Sequence, residues 1–242
     1  MRLPITFAAL STIMLTACQP ADPTAQLDRP YKAPSAQCLM QEDWDTPVLW
    51  THSISVTPGE EVTLDPYIRA GPGGRPGKAE CLRNIAVLPD APAPAWSEDG
   101  KLVFTVPQDA ASSQIYTITA TYGSQNIRAA MTVYRPEMQP LVGSWYQKVG
   151  CPGREPMREL IFSADGSFRA TYTPFETYVD FWGTYSLEPE TGLLSLNITG
   201  GNNVPGTAND GTIIIQDDTF TLGTASLGAG DGAVCTSPFT RR

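Results

Sequence analysis

A single histidine, His52, stands in 242 residues. A multi-histidine metal centre is therefore excluded, and any Ser-His-Asp triad has to pass through His52, which sits in the strand-like run Trp50-Thr51-His52-Ser53. Charged residues make up 17% of the chain, too few for the Lys- and Glu-rich surfaces of long helices. Basic residues are the scarcer sign, 16 against 25 acidic, and a net charge of −9 argues against nucleic acid as a partner. No C-x-x-C pair, no Gly-x-Ser-x-Gly elbow and no calcium loop of alternating Asp and Asn occurs, although Glu42, Asp43 and Asp45 cluster. No catalytic set, metal or cofactor is expected. What the chain has in quantity is punctuation: 21 Gly and 22 Pro, which suit short strands and turns.

The N-terminus reads as an address. Arg2 precedes an apolar stretch, Leu3 to Ala17, that is too short to span a bilayer and has the layout of a secretory signal. It ends in Leu15-Thr16-Ala17-Cys18, which resembles the lipobox of bacterial lipoproteins. The resemblance implies that residues 1–17 are a signal peptide and that Cys18 becomes the lipid-bearing mature N-terminus. Gln19 stands where an Asp would resemble an inner-membrane retention signal, so the expected location is the outer membrane. Removing Arg2 leaves 15 basic against 25 acidic residues, a mature charge of −10. Anionic lipid heads repel such a body, so the lipid alone has to hold it. Residues 18–37 carry Pro20, Pro23, Pro30 and Pro34 with no repeating period and are expected to be a tether. The 19 residues from Gln19 to Gln37 reach roughly 60 Å when extended.

Four further cysteines, Cys38, Cys81, Cys151 and Cys235, form an even set in an oxidising compartment, at separations of 43, 70 and 84 that fit no zinc pattern. Three pairings are possible. A composition break near Pro136 to Pro140 favours Cys38–Cys81 and Cys151–Cys235.

Residues 38–136 read as a β-sandwich. In Gln114 to Tyr122 the residues Tyr116, Ile118, Ala120 and Tyr122 fall on one face, and Asn126 to Tyr134 repeats this with Ile127, Ala129, Met131 and Val133. That period of two marks half-buried antiparallel strands, with Gly123-Ser124 as a hairpin turn. Thr51 to Val56, Glu61 to Asp65 and Lys101 to Val106 are further strand candidates. The order TPGEEVTL, YTITATYG, AAMTVYRP resembles bacterial Ig-like extracellular domains, and the resemblance implies two packed sheets. The glycine-rich run Gly71 to Lys78 has Pro72 and Ala79 where a phosphate loop needs Gly and Ser or Thr, so it is expected to be a flexible connection.

Residues 140–242 offer eight strand candidates: 142–149, 157–163, 167–173, 181–188, 193–198, 211–216, 219–223 and 233–240. Eight antiparallel strands in about 100 residues predict a closed up-and-down barrel, since closure removes both edges. The opening Gly143-Ser144-Trp145 resembles the Gly-x-Trp signature of lipocalins and other calycins. The resemblance implies that an Arg near the chain end stacks on Trp145 and closes the barrel base, a role that falls to Arg241. Paired residue numbers on antiparallel strands share one sum, and Trp145 with Arg241 has the same sum as Cys151 with Cys235, so a single register satisfies both.

Aromatic residues crowd the stretch from Phe168 to Tyr185, either as a ligand-lining wall or as the filling of a small barrel. Tyr172, Phe175, Tyr178 and Trp182 are the candidate contacts to a ligand or partner, with Phe175 and Tyr178 in the inter-strand segment Pro174 to Asp180. The expected protein is an all-β, non-enzymatic envelope lipoprotein: an Ig-like β-sandwich followed by a small eight-stranded lipocalin-like barrel. It would meet the membrane through its N-terminal lipid and hold a small apolar ligand or a protein partner in the barrel. The alternatives are a hydrolase of envelope polymers working through carboxylates in the barrel mouth, and a protease-inhibitor or adhesion module using the Pro174–Asp180 loop.

Overall fold

The computed structural model describes residues 38, 45–51, 54–70, 73–89, 91–151, 155–172, 180–202, 204, 208–227 and 236–242. Cys18, His52, Glu42, Asp43, Phe175, Tyr178 and Cys235 lie outside the described residues, as does the 18–37 segment.

Alternation along the first strands becomes burial. Strands β1 (Thr46–Thr51), β2 (Ser55–Val56), β3 (Glu61–Ala70), β4 (Gly73–Pro76), β5 (Leu82–Leu88), β6 (Ala95–Trp96), β7 (Leu102–Thr105), β8 (Ile115–Tyr122) and β9 (Gln125–Val133) form two sheets. One has the order β1-β3-β7-β6, with β4 on the end of β3, and the other β2-β9-β8-β5. This is the partition of an Ig constant-type sandwich, A-B-E-D against C-F-G, with β2 added parallel to β9. Val62, Leu64 and Ile68 of β3 and Phe104 of β7 face Tyr116, Ile118 and Met131 of the other sheet, and all are buried. Phe104 and Tyr116 meet across the layers with ring centroids 5.5 Å apart. Gly123, at φ +60°, turns the β8–β9 hairpin.

Two expectations for this half are corrected. The run Thr51 to Val56 is not one strand: β1 pairs in the first sheet and β2 in the second, because the chain changes layers there. The glycine-rich run is not a loose connection either. Gly73–Pro76 is a paired strand, and its glycine at 74 leaves room for the Tyr67 ring, which a Cβ there would strike. Cys38 is bonded to Cys81, at the end of a 3-10 turn (Ala79–Cys81) that leads into β5.

The second half is a closed antiparallel barrel. Its strands β10 (Gly143–Gln147), β11 (Glu159–Phe162), β12 (Ser167–Thr171), β13 (Phe181–Glu188), β14 (Leu193–Gly201), β16 (Gly211–Gln216), β17 (Thr219–Leu222) and β19 (Phe239–Arg241) follow one another around the wall in chain order. A small pair, β15 (Ala208–Asn209) with β18 (Ser226–Leu227), is an addition that no sequence pattern announces. Tight turns stand at Ala164-Asp165-Gly166, where the Asp165 carboxylate accepts the Ser167 N–H at 2.9 Å, and at Asp217-Asp218. β10 pairs with β19 in the register Trp145↔Arg241, Tyr146↔Thr240, Gln147↔Phe239. Cys151 is disulfide-bonded; its expected partner Cys235 lies outside the described residues.

The interior is filled. Trp145, Phe162, Phe181, Phe220 and Phe239 are all at most 1% exposed, with Phe220 stacked on Phe239 at 4.5 Å and edge-on to Trp145 at 4.9 Å. Small barrels close on their own side chains in this way. The buried apolar residues thus gather in two clusters, one drawn from Cys38 to Val133 and the other from Leu141 to Phe239.

Candidate functional site

The barrel base is built around Trp145. Its Nε1 donates to the Leu141 carbonyl at 2.7 Å, and the Arg241 guanidinium carbon lies 4.2 Å from the ring centroid. Arg241 also donates to the carbonyls of Val142 and Pro140, both at 2.7 Å, so one side chain ties the connecting segment to the first and last strands. Gly143 is required by this arrangement. Its φ is +138°, and a Cβ there would sit 2.7 Å from Arg241 Nη1. Arg242 instead lies 5.7 Å from the Tyr146 ring and pairs with Glu159.

The outer wall of the same strands carries a different row. Ser144 pairs with Ile161, Ile161 with Arg169, Arg169 with Trp182 and Trp182 with Gly200, so five outward residues cross five strands side by side. Their neighbours Trp145, Leu160, Ala170 and Phe181 point inward and are buried, which fixes the outward sense of the row. Trp182 is 42% exposed despite its size. Gly200 makes room for its ring. A Cβ on Gly200 would come 2.9 Å from the indole, so the ring lies against bare backbone. A bulge at Trp182/Gly183 re-aims the side chain, and Gly183 and Gly201 let β13 and β14 approach too closely for a side chain at either position.

This row faces the sandwich across a cleft of about 560 Å³. Ile54, Ser55, Glu60 and Tyr134 form the sandwich wall; Ser144, Ile161, Arg169 and Trp182 form the barrel wall. The two walls are joined at one end. The Ala164 N–H donates to Ser55 Oγ at 2.9 Å, Gln139 Nε2 donates to the Ala164 carbonyl at 3.3 Å, and the Ser112 hydroxyl donates to Gln139 Oε1 at 3.3 Å. Ala164 is itself buried, so the β11–β12 turn is seated in the sandwich.

Its chemistry is mixed. Burial, reinforced by the Glu60 carboxylate and opposed by Arg241, raises the Tyr134 phenol above its ordinary value, so it stays a protonated donor at neutral pH. Glu60 is held by the Thr57 N–H at 2.8 Å and the Thr57 hydroxyl at 3.1 Å. Arg169 and the Trp182 indole N–H make no hydrogen bond or ion pair among the described residues.

The sequence-proposed contacts therefore separate. Trp182 is on the cleft. Tyr172 is not: its hydroxyl donates to the Leu227 carbonyl at 3.0 Å and its ring packs near Phe181 in the barrel. Asp45 is buried and ion-paired with Arg75, a structural role. Among the described residues no group of three His, Cys, Asp or Glu side chains converges. Ile54, Tyr134, Ile161, Arg169 and Gly200 escaped the sequence reading. One signal was available: the alternation that buries Phe181 and Gly183 forces Trp182 outward, and a large aromatic at an outward strand position asks for an explanation.

Fold and site together define an all-β protein, an Ig-type sandwich joined to a closed eight-stranded barrel with a cleft at the junction. Comparison with protein-family models, curated proteins and solved structures returned no match to this chain.

Proposed function

We propose that this chain is a lipid-anchored bacterial envelope lipoprotein that acts as a binding module, and that its partner or ligand docks in the cleft between the two β units. The observation that carries the reading is Trp182, 42% exposed with its ring against the bare backbone of Gly200 and lining a cleft of about 560 Å³. A strand that gives up the side chain at residue 200 to seat an exposed aromatic ring is arranged for contact, and exposed aromatics mark contact surfaces. The barrel interior is a poorer candidate for the bound group, since its axis is occupied by Trp145, Phe162, Phe220 and Phe239. Lipid at Cys18 and the tether after it would let the folded part stand up to roughly 60 Å from the outer membrane.

Two experiments test the reading. Cys18→Ser is expected to give an unlipidated protein that leaves the membrane fraction; retention after high-salt washing refutes the anchor. A photo-crosslinking residue placed at Ile54 or Ile161 in the producing cells is expected to give adducts that Ile214, exposed on β16 outside the cleft, does not. Equal labelling from all three positions refutes the cleft as the docking site.

A further inference from the structure

Resting on that reading of the cleft, we infer that its ligand is an acidic glycan: a sugar ring bearing a carboxylate, stacked on Trp182 and held by Arg169. Three features converge on this class. The indole is a flat platform backed by Gly200, and the apolar C–H face of a pyranose suits the electron-rich face of an aromatic ring. Directly across the strand pair stands Arg169, exposed and without a partner among the described residues. It is the one cation among the residues lining the cleft, in a chain of net charge −9. A guanidinium left unpaired beside a stacking surface presents a planar fork for a carboxylate.

The rest of the lining suits hydroxyls. Ser144, Ser163 and Ser167, with the Tyr134 phenol, surround the apolar patches of Ile54 and Ile161. Tyr134 remains a donor at neutral pH, and Glu60 on the same sandwich wall is an acceptor already fixed in position by Thr57, across from Arg169 and Trp182 on the barrel wall. A sugar ring offers both donors and acceptors around an apolar face, so one molecule can satisfy both walls. A purely apolar ligand would leave Arg169, Tyr134 and Glu60 unanswered. A nucleic acid would meet a single cation and an acidic body.

The test uses the full mature protein in detergent, with isothermal titration and saturation-transfer NMR. The probes are the N-acetylglucosamine–N-acetylmuramic acid disaccharide, a glucuronic-acid disaccharide and neutral di-N-acetylchitobiose. The acidic probes are expected to bind at least tenfold more tightly than the neutral one. Arg169→Gln is expected to bring all three within about twofold of each other. Trp182→Ala is expected to weaken every sugar at least tenfold at an unchanged melting temperature, with Trp182→Phe intermediate. Preference for the muramic disaccharide identifies a wall polymer as the source, and preference for the uronate identifies a secreted polysaccharide; either supports the acidic-sugar assignment. Equal binding of neutral and acidic sugars, or a preference that survives Arg169→Gln, overturns it. If no sugar binds while cleft-specific crosslinks persist, the glycan assignment fails and the binding-module reading stands. If both are lost, both fall.

Discussion

Replacing Trp145 by Ala is expected to unfold the barrel or to lower its melting temperature by more than about 12 °C. Truncating a buried Trp costs about 3–5 kcal/mol, and 1 kcal/mol moves a domain of this size by about 4–8 °C. Trp145 is fully buried, touches Phe220 edge-on, bonds the Leu141 carbonyl and lies under Arg241, so its loss opens a cavity at the point where the first and last strands meet. Arg241→Ala removes the cation–π contact, worth about 1–2 kcal/mol, and the hydrogen bonds to Pro140 and Val142, and is expected to cost less than the Trp145 change. A double-mutant cycle on the full chain is expected to show coupling of about 1–2 kcal/mol between the two residues. Independent effects, or a Trp145→Ala protein that melts like the parent, would mean that the barrel is closed elsewhere.

Removing the Cys38–Cys81 bond is the second large effect. The bridge closes a loop of 43 residues, for which the chain-entropy model gives about 4 kcal/mol. Its position adds to its importance. The residue at which the proposed tether ends is fastened to the start of β5, in the second sheet, while β1 enters the first sheet. The bridge therefore anchors the beginning of the sandwich across both layers. In Cys38→Ser/Cys81→Ser, hydrogen exchange followed by mass spectrometry is expected to show lost protection in the β8–β9 hairpin, with the barrel strands unaffected. Protection unchanged throughout would show that the bridge does not stabilise the sandwich. Protection lost equally in the barrel would show that the two units unfold together.

The barrel was legible because every one of its strands carries its own evidence. Tight turns at Ala164-Asp165-Gly166, Pro189 to Gly192 and Asp217-Asp218 separate neighbouring runs, and the first seven candidates fall in order on β10–β14, β16 and β17, while the last, 233–240, meets β19 (Phe239–Arg241) only at its end. The pairing of the first and last strands was legible for a different reason: an antiparallel register obeys simple arithmetic, and it predicted the Trp145↔Arg241 pairing that the strands adopt. The sandwich was read less completely. Strands β2, β4 and β6 have two to four residues, too few for alternation to register, and the break at Thr51 reflects a change of sheet that no local pattern encodes. Of the cleft, only Trp182 was legible. The cleft depends on contacts such as Ser55 with Ala164, 109 residues apart, and on Gly200, which in a sequence looks like a turn residue rather than the backing of an aromatic ring. Arg169 reads as an ordinary outward charge until Trp182 is placed opposite it.

The chain contains five tryptophans, which makes a direct test of the cleft practical. With fluorotryptophan incorporated and each signal assigned by substitution, fluorine NMR can follow all five during titration with a soluble extract of the producing cell's envelope. The Trp182 resonance is expected to shift and saturate while that of Trp145, sealed in the barrel base, stays fixed. A shift of Trp145 with Trp182 unmoved would place the ligand inside the barrel and refute the cleft.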